Sequence, residues 1–106
     1  MRGKCLVTGL VAGLLAPLPG AALAHYPICT CAMADTATVR CVGGFSNGSE
    51  APGVLIDVIS YDERILVSGR TDAASSFQFQ RPDGKFFVLF DAGPGHTVEI
   101  DYLDIQ

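Results

Sequence analysis

Basic residues are scarce in this chain: seven Lys and Arg stand against eleven Asp and Glu in 106 residues, and no basic run occurs anywhere. Nucleic acid is therefore excluded as a partner, because phosphate neutralisation by Lys and Arg supplies most of that affinity. Anionic membrane surfaces are disfavoured for the same reason. The chain is too short for a two-lobed enzyme. Nor does it carry a Gly-x-Ser-x-Gly elbow, a phosphate-binding glycine loop or a His-Glu-x-x-His pair, and its acidic residues are scattered singly. No internal repeat or low-complexity segment is present. These absences point to a protein that is not an enzyme.

What is there divides into two parts. Arg2 and Lys4 precede an uncharged apolar stretch from Cys5 to Leu18, and Pro19-Gly20 and the small-x-small triplet Ala22-Leu23-Ala24 follow. This is the pattern of a cleaved signal peptide over residues 1–24. A membrane span needs about 20 apolar residues, and Pro17, Pro19 and Gly20 interrupt the run too early. The short leader suits a bacterial periplasmic protein with no membrane insertion after cleavage, and Cys5 departs with the leader. The remainder, 25–106, holds five Lys and Arg against eleven Asp and Glu, a formal charge of −6. A domain of that size buries only about 60–65% of its unfolded surface, so a disulfide or metal staple would help it.

Past residue 35, short β-branched and aromatic runs recur between Gly, Pro, Asn and Asp clusters. The pattern predicts an all-β fold, a small antiparallel sandwich of about six to seven strands over 36–106. Expected strands are Thr36–Val42, ended by Gly43-Gly44, then Val54–Ser60, Ile65–Gly69, Ser75–Gln80, Lys85–Asp91 and His96–Tyr102. Val54–Ser60 is apolar on both faces and so is expected to be a central strand. Pro82-Asp83-Gly84 reads as a turn, as does Asn47-Gly48-Ser49, although the latter also matches a glycosylation sequon.

Residues 25–35 read as an N-terminal tail rich in Cys and His. Cleavage after Ala24 would expose His25 as the first residue, and a terminal His offers its α-amino nitrogen and ring Nδ1 to one metal ion. An α-amino group titrates near ~7.7–8.0, so little proton competition opposes capture at neutral pH. His96 and Asp91 flank the connection Asp91-Ala92-Gly93-Pro94-Gly95-His96. If the first and last strands run in the same direction, His25, Asp91 and His96 fall at one edge and compose a tetragonal Cu(II) or Ni(II) set. The alternative is that His96 and Asp91 only cap the turn.

Three cysteines remain after export, Cys29, Cys31 and Cys41, and an odd number leaves either one free thiol or a metal-bound set. A Cys29–Cys31 bridge would close a small strained ring, which leaves Cys31–Cys41 or Cys29–Cys41 as the disulfide candidates. The metal alternative has Cys29, Cys31 and Cys41, with Met33 or His25, holding Cu(I) or Zn(II). A thiol-redox role for Cys29 and Cys31 is a further alternative, without any thioredoxin-like strand–helix pattern around it.

From Ala51-Pro52-Gly53-Val54-Leu55-Ile56-Asp57-Val58 through Gly69-Arg70-Thr71-Asp72 and Phe77-Gln78-Phe79 to the Asp91–His96 turn, the chain resembles carboxypeptidase-regulatory-like, transthyretin-like β-sandwich domains. It is most similar to exported forms accompanying nickel and cobalt uptake systems. The resemblance covers residues 51–96 and implies metal binding or handover by Asp91 and His96. The terminal histidine on a small acidic sandwich also resembles periplasmic copper-resistance carriers, without their methionine-rich loop. The expected function is thus carriage of a transition-metal ion, copper or nickel/cobalt, to or from a membrane metal transporter. The principal alternative is a disulfide-stapled protein-interaction module of the envelope that binds no metal.

Overall fold

The computed structural model describes residues 25–106; the leader read from residues 1–24 lies outside them. Seven strands follow in chain order: β1 (Pro27–Met33), β2 (Thr38–Phe45), β3 (Leu55–Ser60), β4 (Ile65–Arg70), β5 (Ser76–Gln80), β6 (Phe86–Asp91) and β7 (Thr97–Asp101), then one 3₁₀ turn, Tyr102–Asp104. They pair antiparallel in two sheets, β1-β2-β5 and β4-β3-β6-β7. The expected all-β sandwich is therefore what the chain forms, with β3 central. Among the described residues no helix is long and apolar enough to cross a membrane.

Two expectations need correcting. Residues 27–33 are not a tail: Pro27, Cys29 and Cys31 are buried and alternate with exposed Ile28, Thr30 and Ala32, the period of a strand with one face on the core. The pair Gly43-Gly44 does not end β2, which runs on to Phe45. Gly43 stands in the strand because a Cβ there would meet the Phe90 ring of the other sheet at 2.5 Å. Gly69 in β4 makes the same allowance for Phe77, so each sheet gives up one side chain to receive the other's phenyl ring.

Alternation fills the space between the sheets. Val39 and Cys41 of β2, Phe79 of β5, Ile56 and Val58 of β3, and Phe86, Val88 and Phe90 of β6 are buried, and Ile100 and Ile105 complete the core. Phe86 meets Phe79 edge-on at 6.2 Å between centroids. The loop crossing from β2 to β3 is pinned by buried hydroxyls. Thr71 donates to the Ala51 carbonyl at 2.6 Å and accepts from the Val54 amide, and Ser75 accepts from the Ala51 amide. At the opposite end Arg81 lies over the Phe86 ring and donates to the carbonyls of Ile105 and Tyr102, closing the chain end against the core. The Met33 amide donates to the Gln106 carbonyl, so β1 ends beside the C-terminus.

Candidate functional site

Among the described residues, those expected to bind metal do not gather into one site. β1 ends beside the chain end that follows β7, so these strands run in the same direction and the starts of both lie at one end of the molecule. His25 and His96 therefore lie towards that same end. His96, however, turns inward on its own connection: Nδ1 donates to the Pro94 carbonyl at 3.0 Å. Asp91 caps the same turn by accepting from the Gly93 amide at 2.9 Å. Met33 lies eight residues along extended chain from His25, about 26 Å away, with its sulfur accepting from Arg81 at 3.3 Å.

The cysteines resolve into a staple and a spare. Cys31 and Cys41 face each other across the β1–β2 register with Cα atoms 4.0 Å apart and form a disulfide. Their sulfurs are joined to each other rather than free as thiolates. Among the described residues Cys29 is the free thiol, buried opposite Gly43, and burial pushes its pKa from 9.0 up to about 11. A thiol held protonated in this way is a poor nucleophile and a poor ligand at neutral pH. Among the described residues, no three His, Cys, Asp or Glu side chains come together in a geometry that would hold a metal ion.

A different surface stands out: the outer face of the four-stranded sheet. Register sets its side chains in three rows across β4, β3, β6 and β7: Ile65–Ile59–Phe87–Asp101, Ser68–Asp57–Leu89–Glu99, and Arg70–Leu55–Asp91–Thr97. The apolar members of the two middle strands are only half-buried, and Ile65 is 61% exposed. A groove of about 770 Å³ follows the first row. Ile59, Ile65 and Phe87 line it together with Tyr61, Glu63, Glu99, Asp101 and Asp104.

The β3–β4 turn and the 3₁₀ turn build the walls. Tyr61 stacks edge-on against Tyr102 at 5.9 Å and donates its hydroxyl to Asp101 at 2.5 Å. That bond to a carboxylate pushes the phenol up to about 12. Asp101 also accepts from the Leu103 amide, which fixes the turn carrying Asp104. Opposite, Asp62 accepts from the Ser60 hydroxyl and from Arg64 Nε, shaping the reversal that presents Glu63 in the left-handed region with φ 69°. Lys85 packs over the Tyr61 ring. In the adjacent row Asp57 Oδ1 is buried and has no hydrogen-bond partner among the described residues. The arrangement sets apolar surface beside clustered carboxylates.

No family model, curated protein or solved structure matches the chain. The groove was not foreseen from sequence because its members come from four strands and two turns. The usable signal was the outward set of the alternation, Ile59 and Phe87 with Glu99 and Asp101, which only the register aligns into a row.

Proposed function

We propose that this protein is an exported, non-enzymatic binding module of the bacterial envelope, stapled by one disulfide and engaging a partner through the outer face of its four-stranded sheet. The observation that carries the reading is the groove along Ile65, Ile59 and Phe87, where a second apolar layer lies on the side of the sheet away from the core. Apolar side chains gathered in one exposed patch, rather than scattered singly, are the usual mark of an interaction surface. The leader and the Cys31–Cys41 bridge support export, because such bridges persist outside the reducing cytoplasm. A photo-crosslinking amino acid placed at position 65 of the exported protein tests it. Adducts to a partner chain are expected from position 65 and not from position 42, on the outer face of the other sheet. Failure to form adducts at 65, or the same adducts from both positions, would overturn the reading.

Metal carriage is the second reading, favoured by one observation. With Nδ1–H of His96 on the Pro94 carbonyl, Nε2 carries the free lone pair, the orientation that backbone bonding gives to ligating histidines. His25 begins the chain at that same end if cleavage follows Ala24. Calorimetric titration of the processed protein with Cu(II) and Ni(II) would then show one equivalent bound, lost in both His25→Ala and His96→Ala. Heat in neither titration removes the metal, and with it a transporter as partner.

A further inference from the structure

The geometry points to an extended, cationic–apolar polypeptide segment as the occupant of the groove, with the side-chain pattern apolar-x-apolar-x-Lys/Arg read from the β4 side to the β7 side. The inference rests on the binding-module reading and names its partner's chemistry. Neighbouring strands lie about 4.8 Å apart, so the first row spans about 14 Å, the reach of about five extended residues. Alternate side chains of such a segment face the sheet every ~6.7 Å. Two of them fall over Ile65 and the Ile59–Phe87 boundary, and the third arrives at Asp101, between Glu99 and Asp104.

Charge selects among the occupants. A second copy of this domain would bring a formal −6 against −6, and an anionic lipid surface would meet the same carboxylates. A basic side chain at the β7 end finds Glu99 and Asp104, neither of which makes a hydrogen bond among the described residues, whereas Asp101 is already shared with Tyr61 and Leu103 and the β3–β4 turn brings a single carboxylate, Glu63, to the groove. Attraction at such an exposed rim directs which partner binds more than how tightly, and salt screens it.

The test is an NMR titration of the oxidised protein, residues 25–106, with three capped pentapeptides: Leu-Ser-Leu-Ser-Arg, the same ending in Gln, and the same ending in Glu. Amide shifts are expected around the groove. The Arg peptide should bind about ten-fold tighter than the Gln peptide, with the Glu peptide weaker still, and 0.5 M salt should close the gap. The double variant Glu99→Gln, Asp104→Asn should reduce the Arg peptide to the affinity of the Gln peptide while leaving Tm unchanged. Equal binding of the Arg and Gln peptides overturns the charge assignment but leaves the binding module standing, as do position-65 crosslinks without any peptide binding. Shifts spread over carboxylates all round the molecule overturn the inference as adventitious attraction. The absence of both peptide shifts and crosslinks would overturn both readings.

Discussion

Single residues show where this sandwich departs from what stability alone would choose. Asp57 occupies the middle of β3 on the outer face, between Leu55 and Ile59 along the strand and opposite Leu89 on β6. Its Oδ1 is out of water and unbonded among the described residues. A buried acceptor without a partner costs about 1–3 kcal/mol, and β-branched side chains suit a half-buried strand position. Asp57→Val is therefore expected to stabilise the domain by about 1 kcal/mol, raising Tm by about 4–8 °C in a thermal melt. An unchanged or lower Tm would mean that the carboxylate is satisfied in solution. Glycine 43 shows the opposite case, a position with no slack. Its missing Cβ is the space filled by Phe90, so Gly43→Ala should cost about 1–3 kcal/mol by overpacking, measured by denaturant unfolding. Phe90→Leu in the same background should restore part of the loss if the clash is the cause.

Elements were legible where alternation was complete and illegible where chemistry distracted from it. β3, β6 and β7 followed directly from runs such as Phe86 to Phe90, in which one set of alternate residues is fully apolar. β1 did not, because Cys29, Cys31 and Met33 invite interpretation as ligands, although Pro27, Cys29 and Cys31 simply occupy its inward positions. The disulfide had two relaxed pairings in the sequence. Register decides between them by setting Cys31 opposite Cys41 and Cys29 opposite Gly43. The candidate site was the least legible part, since a groove across four strands has no contiguous signature. The staple closes a loop of ten residues, for which loop entropy gives roughly 2–3 kcal/mol. The variant Cys31→Ala, Cys41→Ala should lose about that much, lowering Tm by about 10–20 °C, and hydrogen exchange should report the greatest loss of protection in β1 and β2. A uniform loss over all seven strands would show that the bridge acts through the unfolded chain alone, with no added hold on its own hairpin.

For the molecule as a whole, hydrogen-bonded carboxylates and sheltered protons define a window of stability in pH. On the acid side, the Ala37 and Thr38 amides hold the Asp35 carboxyl below its ordinary 3.8, the Ser60 hydroxyl and Arg64 do so for Asp62, and the Ser76 and Ala74 amides for Asp72. With folded values below unfolded ones, their stabilisation is complete above the unfolded pKa and is lost as pH falls through the folded values. On the alkaline side the sign is reversed. Burial raises Cys29 from 9.0 to about 11, and the bond to Asp101 raises Tyr61 from 10.0 to about 12. Between those values the unfolded chain has released protons that the folded one still holds, so stability falls as pH rises. Thermal melts should thus give a plateau from about pH 5 to 8.5, with Tm declining on both sides. Cys29→Val isolates one contribution because it keeps a small apolar side chain opposite Gly43 and removes the thiol proton. Its Tm relative to the parent should be constant up to about pH 8.5 and then rise steadily towards pH 11, while the acid limbs stay parallel. Alkaline limbs that also run parallel would show that the Cys29 proton is not sheltered by the fold, and the decline above pH 9 would then have to come from Tyr61 and the groove wall it builds.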